Sequence, residues 1–420
     1  MVNNNVHYWI LRFARIRLSV GVVSLGLWRA LDLPSQRIYA HAHKLESIFG
    51  SCAGAHWMLF IFQIPELMNQ SLREELRTNI KRQSIEDLCE SINKIGPYVS
   101  GLAIGNPLSV SVLKHYTEVR VRKTSYRKFR IPKKSGGART ITAPYGELKD
   151  IMSTLAFLLS QLYTSTPEAT AFIAQRSIVD NASQHLNHNY ILNLDLSDFF
   201  TSITAGMVEK CLKKIGLSPI VAQCVATICT YPAIEGKVVK NIVPQGAPTS
   251  PVISNICAMT LDSRLSGLAR RFHLYYTRYA DDITFSSNHN VYHAGGEFME
   301  ELYHIIEDCH FVVNSKKTRL QKRGARQEVT GLTVTGKLNV SRKYVKNLRV
   351  LIHHIRLTEK PSLHEVNVVR GKLNFLRMVK GSDDTTYQTL LMKLNLSVRG
   401  KHFLKPNQQL GIEEQVCWSS

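Results

Sequence analysis

Two adjacent aspartates between two strand-forming runs constrain the fold of this chain more than any other feature of its sequence. They are Asp281 and Asp282, in the string YTRYADDITFS at residues 276–286. Neighbouring side chains of a regular strand point to opposite faces, so both carboxylates can serve one site only if the backbone turns there. A hairpin that turns at Ala-Asp-Asp meets this requirement. The alternative is an ordinary solvated turn, in which aspartate is a common residue.

A second acidic element lies upstream, in the string LDLSDFF at residues 194–200, where Asp195 ends a run of strand-forming residues. Two-metal nucleotidyl transfer needs carboxylates from separate strands, which hold two ions about 3.5–4 Å apart. Mg²⁺ suits such a site because it takes few carboxylates and completes its octahedron with water and substrate phosphates. The sequence therefore predicts that two Mg²⁺ ions are held by Asp195, Asp281 and Asp282.

The composition indicates a folded protein with a polyanionic partner. The 420 residues are 44% hydrophobic and 20% charged, and 53 Lys and Arg against 32 Asp and Glu give a net charge of +21. Such an excess favours nucleic acid or an anionic membrane surface. The most basic stretch, residues 120–139, contains nine Lys or Arg and no acid, but Pro132 and Gly136-Gly137 interrupt it. These breakers argue against a membrane-binding helix, so a strand pair whose basic turn grips phosphates is predicted.

The sequence offers no sign of a membrane partner or of a secreted fold. No stretch reaches the roughly 18 apolar residues that a transmembrane helix needs. The eight cysteines form no Cys-x-x-Cys pair and no zinc-like spacing with histidine. They are read as buried, reduced thiols of a cytoplasmic protein.

Helical and strand patterns alternate along the chain without a regular βαβ repeat, which predicts an α+β fold. Helices are expected from residue 68, at 146–164, within 205–231, after QGAPTS, at 295–308 and over most of 342–400. Strands are expected in the basic hairpin (126–145), at YILNLD, on both sides of the aspartate pair and in EVTGLTVTGKLNV.

Six short sequence motifs follow one another along the chain in this order: IPKKSGGARTITAPY, LDLSDFF, QGAPTSPVISN, YADD, NSKKT and VTGLTV. With them the chain resembles a reverse transcriptase from about residue 70 to 400. Two further strings resemble bacterial retron reverse transcriptases in particular. They are NASQH at residues 181–185, which matches an N-A-x-x-H element, and VTG at residues 329–331.

The resemblance implies a right-hand polymerase fold. The fingers would span residues 68–190 and hold the basic hairpin and the N-A-x-x-H element. The palm would span residues 191–335 and hold the antiparallel sheet with the YADD hairpin. A helical thumb and C-terminal tail would follow at residues 336–420.

The resemblance also assigns roles to single residues. It implies that Asp195, Asp281 and Asp282 are the catalytic metal ligands. Phe200, five positions after Asp195, would be the steric gate that crowds a ribose 2′-OH and so favours dNTPs.

Further residues are implied to handle the nucleotide. Lys133 and Arg139 would hold the triphosphate, as a point charge and a bidentate fork. Gln245 would touch the incoming nucleotide or the template, and Gly246 would permit close approach to a base or ribose. Lys317 would protonate the departing pyrophosphate, or else be a solvated surface charge.

The retron-like strings are candidate RNA-binding elements, through Asn181, His185, Val329, Thr330 and Gly331. Asn181 and His185 are four apart and share a face if they lie on a helix. A core or capping role for these two is an equally open interpretation. Asp198 is likewise open, either near the triphosphate or as an acceptor of backbone N–H groups.

The leading functional hypothesis is a retron-type RNA-directed DNA polymerase. It would bind its own structured noncoding RNA of the msr-msd type, prime from an internal RNA 2′-OH and make the DNA part of branched msDNA. The resemblance further implies antiphage defence together with an effector or toxin protein. The alternatives are a group II intron-like or other bacterial reverse transcriptase, and a non-catalytic RNA-binding scaffold or antitoxin.

Residues 1–67 lie outside the resemblance and hold three of the four tryptophans. Two interpretations stay open for them. They are either a small N-terminal domain or a readthrough of noncoding sequence upstream of Met68.

Overall fold

The computed structural model describes residues 84–102, 107–132, 136–235, 238–399 and 401. Over these residues short strands alternate with helices, as the α+β prediction requires. The helices are α1 (Ile85–Val99), α2 (Val110–His115), α3 (Val119–Thr124), α4 (Gly146–Leu162), α5 (Ile178–Ser183), α6 (Phe199–Ser202), α7 (Ala205–Lys214), α8 (Pro219–Ile228), α9 (Ser250–Arg271), α10 (Glu297–Asp308), α11 (Arg342–Leu357), α12 (Leu363–Lys380) and α13 (Thr385–Val398). The strands are β1 (Tyr126–Pro132), β2 (Ala138–Pro144), β3 (Tyr190–Asp195), β4 (Tyr231–Glu235), β5 (Val238–Ile242), β6 (Tyr275–Tyr279), β7 (Asp282–Ser287), β8 (Arg319–Lys322), β9 (Glu328–Val329) and β10 (Leu332–Thr333).

The central sheet has four antiparallel strands in the order β6-β7-β3-β8. Strands β6 and β7 form the hairpin that the aspartate pair predicted. Ala280, between them, has a φ of 57°, a left-handed conformation that reverses the chain within two residues. The antiparallel sheet with the YADD hairpin is therefore confirmed.

Alternation along the strands gives this sheet two different faces. One face is apolar and is buried in the main core, which also includes residues of helices α4 and α9. Its residues are Leu192, Leu194, Ile283, Phe285 and Tyr276. Apolar burial of this kind supplies most of the stability of a fold. The opposite face carries Asp195 and Asp282 at one end, and toward its other end Ile191 is buried in a second core.

A buried ion pair fastens the hairpin to helix α9. Arg278 of β6 is fully buried and donates from Nε and Nη2 to the two carboxylate oxygens of Asp262, at 2.6 and 2.7 Å. Its Nη1 donates to the carbonyl of Ala280 at 3.1 Å, and Tyr276 also donates to Asp262. The bidentate geometry and the extra hydrogen bonds offset the cost of removing two charges from water.

The basic hairpin is formed by β1 and β2, in a register that sets Ile131 opposite Arg139. Most of its residues are exposed, including Arg127, Lys128 and Arg130. The predicted strand pair is thus confirmed. Lys133, at its turn, lies outside the described residues.

Three C-terminal helices, α11 to α13, pack on one another and share a second core. That core reaches the rest of the fold through Ile191 of β3, Ala182 of α5 and Val329 of β9. The helical prediction for residues 342–400 is confirmed. The boundaries proposed for fingers, palm and thumb remain predictions.

Two further expectations concern the N-terminal part and the membrane. The helix predicted from residue 68 differs from helix α1, which begins only at Ile85, because Ser84 is extended and caps it with its side chain. Residues 1–67 lie outside the described residues. Among the helices that the structure describes, none is long and apolar enough to span a bilayer.

Breaking the buried ion pair should destabilise the protein strongly. In Asp262→Asn the Arg278 charge stays buried without its counter-charge, which should lower the free energy of unfolding by about 3–5 kcal/mol. Urea denaturation followed by far-UV circular dichroism would measure this loss. Asp308→Asn, which removes the exposed ion pair with Arg264, is the matched control and should change little. Equal stabilities for the two variants would contradict the anchoring role of Asp262.

Candidate active site

Strand register places the predicted catalytic aspartates at one end of the sheet. Asp195, the last residue of β3, pairs with Asp282, the first residue of β7. Asp281 lies in the adjoining turn, and its carbonyl accepts the Leu196 N–H at 3.0 Å. Asp195 is 7% exposed, Asp281 is half-buried and Asp282 is open to solvent. The turn at Ala280 thus lets adjacent aspartates reach the place where Asp195 ends its strand.

The NSKKT string supplies two partners of Asp195. The backbone N–H of Asn314 donates to the Asp195 carbonyl at 2.8 Å. The Lys317 ammonium forms an ion pair with Oδ1 of Asp195, and this hydrogen bond raises the pKa of Lys317. Lys317 therefore lies in the site rather than apart from it. Its role as a proton donor stays a prediction.

The pKa of each of the two hairpin aspartates is raised, which means that their charged forms are disfavoured. Loss of solvent raises the pKa of Asp281, and the charge of Asp195 raises it further. The same loss, followed by the charges of Asp281 and Asp195, raises the pKa of Asp282 to about 6, although one side of this residue meets solvent. Lys317 opposes both shifts without cancelling them. Burial first, and repulsion between carboxylates second, thus disfavour the charged forms of both hairpin aspartates.

Carboxylate oxygens are the ligands that Mg²⁺ prefers. The donor chemistry of Asp195, Asp281 and Asp282 therefore fits divalent cations. Across the described residues, no group of three or more His, Cys, Asp or Glu side chains is arranged as a metal site. Lys317 occupies one carboxylate oxygen of Asp195, and the mutual repulsion of the aspartates disfavours their convergence.

The basic hairpin approaches the same end of the sheet. The positive charge of the exposed Arg139 side chain lowers the pKa of Asp281, against the larger effect of burial. The carbonyl of Gln245 accepts the Thr142 N–H of β2 at 2.8 Å. The QGAPTS turn is thereby tied to the basic hairpin.

Gly246 makes a different close approach from the predicted one. It has a φ of 126°, and a Cβ at this position would lie 2.6 Å from Cγ2 of Ile141 in β2. Close approach of a base or ribose to the Gly246 backbone stays a prediction. The glycine makes room for the hairpin strand.

The predicted steric gate lies on the short helix α6. Phe200 is half-buried, with ring centroids 5.4 Å from Phe199 and 6.3 Å from Phe172. One side of the ring is held by aromatic packing while another stays accessible. Asp198 precedes the helix in a left-handed conformation (φ 49°), and its side chain makes no capping hydrogen bond. The interpretation of Asp198 as an acceptor of backbone N–H groups is thus not met at the helix cap.

The N-A-x-x-H residues are buried, which does not fit the suggested direct RNA contact. Asn181 and His185 are 1% and 0% exposed, and burial lowers the pKa of His185 to about 3, so its ring is neutral. Helix α5 ends at Ser183, so His185 follows the helix rather than sharing a helical face with Asn181. The core interpretation is the one that the structure supports for this pair.

The VTG residues form the turn between β9 and β10. Val329 is fully buried, whereas Gly331 is exposed with a φ of 79°. The hydroxyl of Thr330 donates to the carbonyl of Ile178 at 3.4 Å, so this turn packs on the start of α5. RNA contact by the turn stays a prediction for Thr330 and Gly331, and the buried Val329 does not fit it.

Two residues of the site region were missed by the sequence reasoning. Arg278 and Asp262 hold the hairpin from its buried side, but neither was singled out. A signal existed for Arg278. It lies two residues after Tyr276, so both side chains share the face of β6 that should be apolar. A charged residue at such a position indicates a buried partner.

Neutralising one aspartate should stabilise the fold when divalent cations are absent. The raised pKa of Asp282 means that its charged form opposes folding above about pH 6, and this cost disappears below about pH 4. In EDTA at about pH 8, Asp282→Asn should therefore raise the Tm by about 1–3 °C, and the gain should shrink toward pH 5. Differential scanning fluorimetry would measure both.

The control for this test is Asp308→Asn, which removes a carboxylate whose pKa Arg264 lowers, so no gain in Tm is expected. An Asp282→Asn protein that melts at or below the wild-type temperature at about pH 8 would contradict the electrostatic penalty.

Comparison with known proteins agrees with this geometry. A family model described as reverse transcriptase (RNA-dependent DNA polymerase) matches residues 131–353. The retron Mx65 reverse transcriptase of Myxococcus xanthus is 36% identical over 284 residues, covering 65% of this chain and 66% of that protein. The retron Ec86 reverse transcriptase of Escherichia coli is 35% identical over 274 residues, covering 64% of this chain and 81% of that protein.

Among solved structures, the telomerase from Candida albicans in complex with a TWJ fragment of telomeric RNA is a neighbour. It has a TM-score of 0.40 and 12% identity, and the match covers 71% of this chain and 61% of that one. A structural similarity this weak supports no conclusion about function. The family model spans more than half of this chain, and the retron relatives match most of it. The chain therefore belongs to the reverse transcriptase family and, within it, to the retron reverse transcriptases, a class of RNA-directed DNA polymerases.

Proposed function

We propose that this chain binds a cognate structured noncoding RNA of the msr-msd type and extends DNA from an internal RNA 2′-OH. The product would be the DNA part of branched msDNA. The observation that carries the proposal is the pairing of Asp195 with Asp282 beside Asp281, in a chain whose relatives are retron reverse transcriptases. A group II intron-like enzyme would share the aspartates but not these relatives.

The aspartates would hold the metal. Reverse transcriptases generally use divalent metal ions, and we propose two Mg²⁺ ions held by Asp195, Asp281 and Asp282. Bound there, the ions lower the pKa of the attacking hydroxyl and neutralise charge on the leaving pyrophosphate. The fold supplies the position of each carboxylate, through the register of β3 with β7 and the turn at Ala280.

The basic groups around the aspartates would bind the dNTP. Arg139 lies close enough to act on Asp281 and offers a planar fork for a phosphate. Lys317 would be displaced from Asp195 when cations bind, which would free its ammonium to meet the pyrophosphate. Lys133, at the turn of the same hairpin, and Gln245 complete the proposed nucleotide site.

The C-terminal helices offer a surface for the RNA. Helix α11 exposes a series of basic side chains along one side, namely Arg342, Lys343, Lys346, Arg349 and Arg356. Lys and Arg on a helix surface neutralise phosphates without reading sequence. Shape and unpaired loops would then select the cognate RNA.

The biological role would be antiphage defence, in a complex that restrains an effector or toxin protein in the cytoplasm. The support for this part is the similarity to the retron enzymes alone.

Removing one hairpin charge should abolish DNA synthesis and leave RNA binding intact. Asp281→Asn keeps the shape of the side chain but removes a charge that the metal ions need. Nucleotide incorporation on a generic primer-template should fall at least about a thousandfold. Binding of the cognate RNA, measured by electrophoretic mobility shift, should stay within about twofold, because the basic surface governs it.

The matched control is Asp383→Asn, an exposed carboxylate in the loop between α12 and α13. Undiminished synthesis by Asp281→Asn would contradict the enzyme assignment of this site and favour the scaffold alternative. Sequencing of the nucleic acid that copurifies would separate a retron from an intron-like enzyme.

Trimming the predicted gate should weaken sugar discrimination. Phe200→Val opens space where the ribose 2′-OH would lie, so incorporation of rNTPs relative to dNTPs should rise by about tenfold or more. Single-nucleotide incorporation with matched rNTP and dNTP gives this ratio. Phe311→Val, which trims another aromatic ring packed on Phe199, serves as the control for lost packing. An unchanged ratio in Phe200→Val would mean that Phe200 is only a core residue.

A further inference from the structure

A buried polar network lies on the same face of the sheet as the catalytic aspartates. His185 is at its centre and is completely buried. Its Nδ1 lies 2.7 Å from Oγ of Ser286 in β7, and its Nε2 lies 2.7 Å from Oγ1 of Thr277 in β6. One imidazole therefore bridges the two strands of the YADD hairpin.

The alternation of the strands relates this network to the active site. Ser286 lies four residues after Asp282, so both side chains project from the same face of β7. The register sets Thr277 opposite Thr284, which is on that face as well. His185 thus contacts the hairpin about 7 Å (Thr277) and about 13 Å (Ser286) along the strands from Asp282, given a rise of about 3.3 Å per residue.

The second polar residue of the N-A-x-x-H element reaches the hairpin by another route. Asn181 accepts a hydrogen bond from the Thr170 hydroxyl at 2.8 Å, and that hydroxyl also lies 3.1 Å from the carbonyl of Arg278. The Thr170 N–H donates to the same carbonyl at 2.9 Å. Arg278 in turn donates to the carbonyl of Ala280 at the hairpin turn.

These contacts bear on the edge strand of the sheet, whose outer side residues 168–170 cover at Arg278. Strand β6 is an outer strand, and a shift of an outer strand by one residue would exchange its two faces. The neutral imidazole keeps both of its hydrogen bonds, to Thr277 and to Ser286, only when β6 and β7 have this register. An apolar residue at position 185 would fill the space without this selectivity.

We propose that Asn181 and His185 are positioning residues for the catalytic hairpin, and that the N-A-x-x-H element serves nucleotide addition rather than RNA recognition. The element holds β6 and β7 in the register that places Asp281 and Asp282 beside Asp195. This inference rests on the proposed polymerase function, since it concerns the step that the aspartates carry out.

The test separates nucleotide addition from RNA binding in the full-length chain. His185→Leu removes both hydrogen bonds, and Thr277→Val removes one hydroxyl with almost no change of shape. For each, kcat on a generic primer-template should fall by roughly 10-fold or more, as for other residues that orient metal ligands. The Mg²⁺ concentration for half-maximal rate should rise, while the Kd for the cognate RNA should stay within about twofold.

Conservative variants at the same position sharpen the test. The amide of His185→Gln can replace Nε2 toward Thr277, and that of His185→Asn can replace Nδ1 toward Ser286. Both should recover part of the kcat that His185→Leu loses, which a requirement for ring volume alone would not produce. Gln184→Ala changes an exposed position of the same element and should leave kcat, Mg²⁺ dependence and RNA affinity unchanged.

The opposite pattern would overturn the proposal. RNA affinity that falls in His185→Leu, with kcat on the generic primer-template at the wild-type value, would return the element to RNA recognition. A wild-type kcat in both single variants, Thr277→Val and His185→Leu, would also overturn the positioning role. Should His185→Leu fail to fold, Thr277→Val alone decides between the outcomes. A wild-type chain that extends no primer at all would instead count against the proposed function, and the RNA affinities would still test the role of the element.

Discussion

The antiparallel pairing of β3 with β7 is the constraint on which the rest of the site depends. It puts Asp195 directly opposite Asp282, with Asp281 in the adjoining turn, although three carboxylates repel one another. Nothing in the aspartates themselves favours this arrangement. Apolar residues on the other face of the same strands hold the register, because a slip by one position would turn them away from the main core.

Polar groups around the hairpin then stabilise what the apolar core alone would leave loose. From the helix-packed face, the ion pair of Arg278 with Asp262 reaches the hairpin turn through the Ala280 carbonyl. From the active-site face, His185 bridges β6 and β7. The strand pair that carries the charge is thus held from both sides by hydrogen bonds in surroundings where an unmade bond is costly. A site that concentrates negative charge needs such support, since electrostatics opposes its geometry.

Much of this could be predicted from the residues. The aspartate pair between strand-forming runs required a hairpin, the broken basic stretch required a strand pair, and both are present. Single-residue roles were harder, because they depend on which surface a side chain meets. Gly246 was expected to make room for a substrate, and its missing Cβ makes room for Ile141 of the basic hairpin. Asn181 and His185 resemble a motif that could contact RNA, yet their burial is a property of the packed sheet.

The sequence by itself determined the class of the enzyme, since residue types in order specify both the predicted metal ligands and the local turn that brings two of them together. Tertiary structure alone decided the partners: Lys317 on Asp195, Arg278 on Asp262, and His185 between Thr277 and Ser286. These pairs are separated by 16 to more than 100 positions along the chain. Local propensity carries no information about contacts at that range, because they form only when the strands and helices have packed into one core.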